Sequence, residues 1–140
     1  MRMILSFILS FGLSFGLGVS GSVASASAGS LSQEADINKG LFYMAVADEI
    51  RKRCGDISPR VVTAISYMRA LKAEAQSRGY TEAEIDAYIT DKAEKRKIRG
   101  RSDDYIRSMG AMPNDGPSLC ELGQSEIAKQ SPIGKFLKAK

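Results

Sequence analysis

The sequence predicts an all-α fold, a small orthogonal or irregular bundle of about five to six helices stapled by one disulfide. Three observations carry this. Apolar residues recur every three or four positions through most of the chain, the period of a helix with one buried face. No stretch alternates polar and apolar residues as a half-buried strand does. The chain also holds 2 cysteines, and its first residues read as an export signal, which would deliver both thiols to an oxidising compartment.

That signal comes first. Met1-Arg2-Met3 is a short basic start, Ile4 to Val19 is uncharged and rich in Leu, Ile, Phe, Gly and Ser, and "SVASASA" follows. Ala24-Ser25-Ala26 and Ala26-Ser27-Ala28 both have the small-x-small form that signal peptidase accepts. We read residues 1–28 as a signal peptide, cut after Ala28 or two residues earlier. The apolar stretch is short for a bilayer-spanning helix, and no later stretch is long enough, so no transmembrane span is expected after cleavage. The expected location is periplasmic or secreted. Residues 29–38 are small and polar and read as a flexible leader, and 39–140 as a single helical domain large enough for one modest core. The formal net charge of +4 falls by one with the loss of Arg2 and argues for no particular partner.

The first helix runs from Leu41 to Cys54, where Phe42, Val46, Ile50 and Cys54 recur at intervals of four and the charged residues fall elsewhere. Gly55 stands where a left-handed glycine closes a last turn. Ser58-Pro59 reads as the next start, a capping serine with proline at the first helical position. Val61, Ala64, Ile65, Met68, Leu71 and Ala75 then form an apolar stripe that ends at Gly79. Thr81 and Glu84 have the spacing of a capping box, so a third helix begins at Glu82. Its apolar face, Ile85, Tyr88, Ile89 and Ala93, falls out of phase with Ile98, Tyr105 and Met109, which predicts a bend or break between Lys95 and Ser102, around Gly100. Gly110 to Pro117 is a turn by composition. Ser118 can cap a short helix bearing Leu119, Cys120, Leu122 and Ile127, and Ser131-Pro132 can start a last one with Ile133, Phe136 and Leu137.

The chemistry is bounded by what is missing. With 0 histidines, the chain cannot build a Ser-His-Asp or Cys-His unit, a histidine metal site or a histidine haem ligand. Two separated cysteines supply neither a C-x-x-C redox pair nor a thiolate set for zinc or an iron–sulfur cluster. No glycine-rich phosphate loop occurs. No cofactor, no metal and no catalytic residues are therefore expected, and the chain reads as a non-enzyme. Acid clusters at Glu82, Glu84 and Asp86 and at Asp103 and Asp104 leave a carboxylate-only hydrolase as a remote option, and helix-dipole compensation accounts for the first of them.

Cys54 ends the run "RKRCG", and a thiol beside cations is the setting of a reactive cysteine. Asp48 and Lys52, and Glu49 and Arg53, stand four apart and can pair along the helix. Cys54 also sits at a helix C-terminus, where the dipole disfavours a thiolate, so Cys120 is the better-placed nucleophile of the two. Both lie on or beside apolar stripes, and a Cys54–Cys120 disulfide is the expected state, with intermolecular pairing or free thiols as the alternatives. Closing so long a loop is worth about 4 kcal/mol in the loop-entropy model, against total stabilities of roughly 5–15 kcal/mol for small domains.

The densest charge is "KAEKRKIRGR", from which Lys95, Arg96, Lys97, Arg99 and Arg101 are candidates for contact with an anionic surface. No aromatic residues are interleaved to stack bases, and export argues against nucleic acid, so the expected partner is an envelope protein or an anionic surface.

Gly40-Leu41-Phe42, "AVADEIRK" from Ala45 to Lys52 with Cys54 beyond it, Gly79-Tyr80, Leu119-Cys120, Glu126-Ile127-Ala128 and Ile133-Gly134 together resemble a domain-of-unknown-function family of small exported alphaproteobacterial proteins. Some members of it carry a name borrowed from a respiratory NADH dehydrogenase subunit. The resemblance covers nearly all of the chain after the signal and implies no activity. The borrowed name finds no support in the cysteine count or in any nucleotide-binding pattern. Two functional expectations follow: a non-enzymatic periplasmic binding or accessory protein working through an apolar groove or the basic stretch, or a periplasmic holdase-type chaperone.

Overall fold

The computed structural model describes residues 30–140; the expected signal peptide and both cleavage points lie outside them. A 3-10 turn at Leu31–Gln33 leads into α1 (Ala35–Arg53), β1 (Ile57–Pro59), α2 (Val61–Ser77), α3 (Glu82–Thr90), α4 (Lys92–Ser108) and α5 (Gly116–Ala128). A second 3-10 turn, Gly134–Phe136, and β2 (Leu137–Ala139) close the chain. The fold is the all-α bundle read from the sequence, with the addition of one small antiparallel ladder that pairs Ile57 with Ala139, Ser58 with Lys138 and Pro59 with Leu137.

Helix α1 is the axis. Its C-terminal half buries Val46, Ile50 and Cys54 against Ile106 of α4, Leu119 of α5 and Leu137 of β2. Its N-terminal end belongs to a second cluster, in which Leu31 and Ile37 pack with Ala75, Tyr80 and Ile85. The disulfide joins Cys54, at the end of α1, to Cys120 on α5, with Sγ atoms 2.00 Å and Cα atoms 5.1 Å apart.

Several elements differ from the sequence reading. Residues 30–38 are not a loose leader: Leu31 and Ile37 are buried, α1 begins at Ala35, and the Asn38 amide donates to the Leu31 and Glu34 carbonyls at 2.7 and 2.8 Å. Two apolar residues in a polar stretch show no period, so only their partners on α2 and α3 reveal them. Gly55 does not take a left-handed conformation; Cys54 is extended, and a turn in which the Ile57 N–H donates to the Cys54 carbonyl at 3.4 Å leads into β1. Ser58-Pro59 is not a helix start but part of that strand. The missing N–H of Pro59 is tolerated because a two-stranded ladder is all edge, and α2 starts at Val61 without a side-chain cap.

The long third segment is two helices, as its phase shift requires, but the break lies at Asp91 rather than between Lys95 and Ser102. Asp91 accepts from the Glu94 N–H at 2.8 Å, a side-chain cap strong enough to restart the helix, whereas Gly100 sits undisturbed inside α4. Helix α5 is capped by Asp115, not Ser118: the Ser118 N–H donates to Asp115 Oδ2 at 3.0 Å. The last expected helix is reduced to a 3-10 turn, whose first N–H, that of Gly134, donates to Ser131 Oγ at 2.9 Å, before Leu137 is drawn into the ladder with β1. Gly79 (φ +95°) does end α2, and the Thr81–Glu84 capping box is complete in both directions.

Candidate functional site

Helices α1 and α2 touch closely at one end. A Cβ on Gly40 would stand 2.9 Å from both Leu71 Cδ2 and the Tyr67 hydroxyl, so any larger residue would push these side chains aside. Toward the start of α2 the helices leave a groove of about 650 Å³, walled by Met44 and Ala47 of α1 and by Val61, Ala64, Ile65 and Met68 of α2. Phe136 and Leu137 also line it, and Ile98 and Lys95 of α4 contribute from a third element. The first part of the apolar stripe seen in the sequence of α2, Val61 to Met68, therefore faces a groove, while Ala75 at its far end joins the second core cluster. Helix α2 fully buries only Ala75, while Val61 is 56%, Ile65 47% and Val62, outside the groove, 79% exposed.

A second pocket, of about 350 Å³, lies beyond it and is lined by Glu49, Lys52, Arg99 and Ser102. Ala45, Asp48, Lys95 and Ile98 line both cavities, so the two are adjacent and share these residues as a common rim. This pocket is charged where the groove is apolar. The Glu49 carboxylate is 5% exposed and accepts from Arg53 Nε and from Arg99 Nη1, each at 3.3 Å. Asp48 is paired with both Arg51 and Lys52. Ser102 is 3% exposed, and its hydroxyl has no hydrogen-bond partner among the described residues, an uncommon state for a buried polar atom.

The basic stretch is not one surface. At 100° per residue, α4 spreads its cations around the helix. Lys95 stands between the two cavities and, like Arg96, makes no ion pair among the described residues. Lys97 pairs with Glu94 at 2.6 Å, Arg99 pairs with Glu49, and Arg101 lines a different hollow beside Lys39 and Phe42. Neither acid cluster lines the groove or the polar pocket. Glu84 is held by its capping box, Asp86 pairs with Lys72 at 2.7 Å, and Asp104 lies 3.6 Å from Arg107. Asp56 approaches both sulfurs of the disulfide, but sulfurs bonded to each other are not thiolate ligands.

One cluster escapes sequence reading. Arg78, at the end of α2, donates to Glu34, Asp36 and Glu74, and the Tyr80 hydroxyl donates to Glu34 at 2.8 Å. Hydrogen bonding to the guanidinium holds the Asp36 carboxyl down at about 2, and the Tyr80 phenol, then Arg78, lower that of Glu34. The Glu74–Arg78 spacing is visible in the sequence, but the approach of the two acids at the start of α1, Glu34 at its N-cap and Asp36 in its first turn, is not. The cluster is a fastener between chain segments and lies away from the groove lining.

No curated protein matches the chain. No solved structure matches it either. The family model described as a family of unknown function, DUF5333, matches residues 29–138. With the groove, the disulfide and the glycine contacts all inside that match, the chain belongs to the DUF5333 family, a family of unknown function.

Proposed function

We propose that this protein is a non-enzymatic binding or accessory module of the cell envelope, exported to the periplasm or beyond, and that it works through the groove between α1 and α2. One observation carries the reading: the apolar stripe of α2 walls an open groove, with Val61 and Ile65 left about half exposed. Apolar surface gathered in a concavity is the usual form of a binding site. Export is supported by the basic-apolar-small order of residues 1–28 and by the disulfide. No helix among the described residues is long and apolar enough to cross a membrane.

A photo-crosslinking residue at Ile65, in living cells, tests this. Discrete envelope adducts are expected there, absent with the same residue at the exposed Gln124 and lost when Val61→Asp is added. Adducts that are equal at both positions, or that survive Val61→Asp, would contradict it.

The exposure of Val62 outside the groove favours a second reading, a holdase-type chaperone that offers apolar surface to unfolded clients. It requires suppression of client aggregation by the purified protein, and a protein inert in that assay at neutral and acid pH removes the idea.

A further inference from the structure

We infer that the groove and the polar pocket form one site for a single-chain amphiphile with an anionic head, the groove taking the acyl chain and Lys95 meeting a carboxylate or phosphate. This rests on the reading that the groove is a binding site and specifies what fills it. Adjacency is the first ground. Lys95 and Ile98 of α4 line both cavities, so a ligand lying across their shared rim changes from apolar to charged surroundings within its own length. A molecule of matching polarity has a chain at one end and a polar group at the other.

Charge decides the sign of the head. Around the pocket, Asp48 is bound by Arg51 and Lys52, and Glu49 by Arg53 and Arg99. Each acid is thus matched by two cations before Lys95 is considered. Lys95 adds a further positive charge with no ion pair among the described residues, at the junction of the two cavities. A cationic head would be repelled there, and a neutral one would leave Lys95 without a counter-charge. The second ground is Ser102. It lines the pocket, and its buried hydroxyl lacks a partner, as a polar group in a site shaped for a ligand can.

The experiment uses the mature, disulfide-intact protein and three probes, sodium dodecanoate, dodecyl phosphate and 1-dodecanol, each below its aggregation concentration. Amide shifts are followed by NMR. Both anions are expected to perturb residues of α1, the start of α2 and Lys95 to Ser102. They should bind about fivefold more tightly than dodecanol, the upper range for one exposed ion pair. Lys95→Glu should abolish that preference; Lys95 is exposed, so the variant should fold. A tighter carboxylate points to free fatty acids as the source, a tighter phosphate to phospholipid-derived ligands, and either supports the site.

Equal binding of dodecanol and the anions, or an anion preference that survives Lys95→Glu, overturns the assignment of the head while leaving the groove as a binding site. If no probe binds and the Ile65 crosslinker still captures an envelope protein, the amphiphile assignment is wrong and the groove holds a protein segment. If no probe binds and no specific adduct forms, both readings fail together.

Discussion

Replacing Gly134 with alanine should be the most damaging glycine-to-alanine change among the described residues. A Cβ at this position would lie 2.0 Å from the Glu126 carbonyl oxygen, 2.4 Å from its carbon and 2.8 Å from the Ile127 nitrogen. These are main-chain atoms of α5, so no rotamer change can clear them, and the turn must move by roughly 1 Å to restore normal contact. That turn carries Phe136 and Leu137, 3% and 2% exposed, and the ladder with β1. Fully burying side chains of this size is worth about 1.5–3 kcal/mol each. Partial loss of both predicts a cost of about 3–5 kcal/mol, within the range of severe core substitutions. Two other glycines calibrate the argument. At Gly123 the new Cβ meets Ile57 Cδ1 at 2.4 Å and Ile50 Cγ2 at 2.6 Å, side-chain rather than main-chain atoms, whose repacking costs about 1–3 kcal/mol. At Gly55 it meets nothing within 4 Å, and alanine should be neutral or slightly stabilising. Urea denaturation of the three variants reads the order directly. A Gly134→Ala protein within about 1 kcal/mol of the wild type, or an order other than 134, 123, 55, would refute the steric reasoning.

Two further outcomes are expected. Asp36 has its carboxyl held near 2, against an ordinary 3.8, chiefly by Arg78. Its contribution to stability is therefore fully present above pH 4 and is lost as pH falls from about 4 to 2; in urea midpoints across that range the Asp36→Asn variant should show a shallower decline than the wild type, and equal slopes would discount the pair. The disulfide should make the unreduced protein lighter by two hydrogens than its dithiol form. Reduction should cost about 4 kcal/mol by the loop-entropy model, and alkylation of both cysteines without prior reduction would show that the bridge is absent in the protein as made.

The groove follows from one economy of packing. Helix α1 already satisfies its apolar face with α4, α5 and β2, so little of it is left for α2. Held at Gly40 by close contact and at its start by the Arg60 N–H bonded to the Phe136 carbonyl at 2.7 Å, α2 cannot close the gap along Val61 to Met68. The stripe remains available to a ligand. Lys135 sits over the Tyr67 ring at 4.0 Å from its centroid, a cation–π contact that links the second 3-10 turn to α2.

Much was legible in the sequence because much is local. Helical period, the Thr81–Glu84 capping box, the stop at Gly79 and the Asp48–Lys52 and Glu49–Arg53 pairs all depend on residues within a turn or two of one another. The all-α class followed from them, and the expectation of the disulfide followed from the export signal read in residues 1–28 together with two cysteines on apolar faces. What tertiary structure alone decided is what depends on distant partners. Leu31 and Ile37 are core residues because Ala75, Tyr80 and Ile85 receive them. Ser58-Pro59, with good local credentials as a helix start, became a strand because residues 137–139 lie alongside. The basic stretch reads as one patch along the chain, yet a helix distributes it around its axis, and only the packing of α2 and α4 against α1 placed Lys95 at the junction of an apolar groove and a charged pocket. Local free energies of about 1 kcal/mol propose elements; burial against partners far along the chain, worth several times more, selects among them and makes the site.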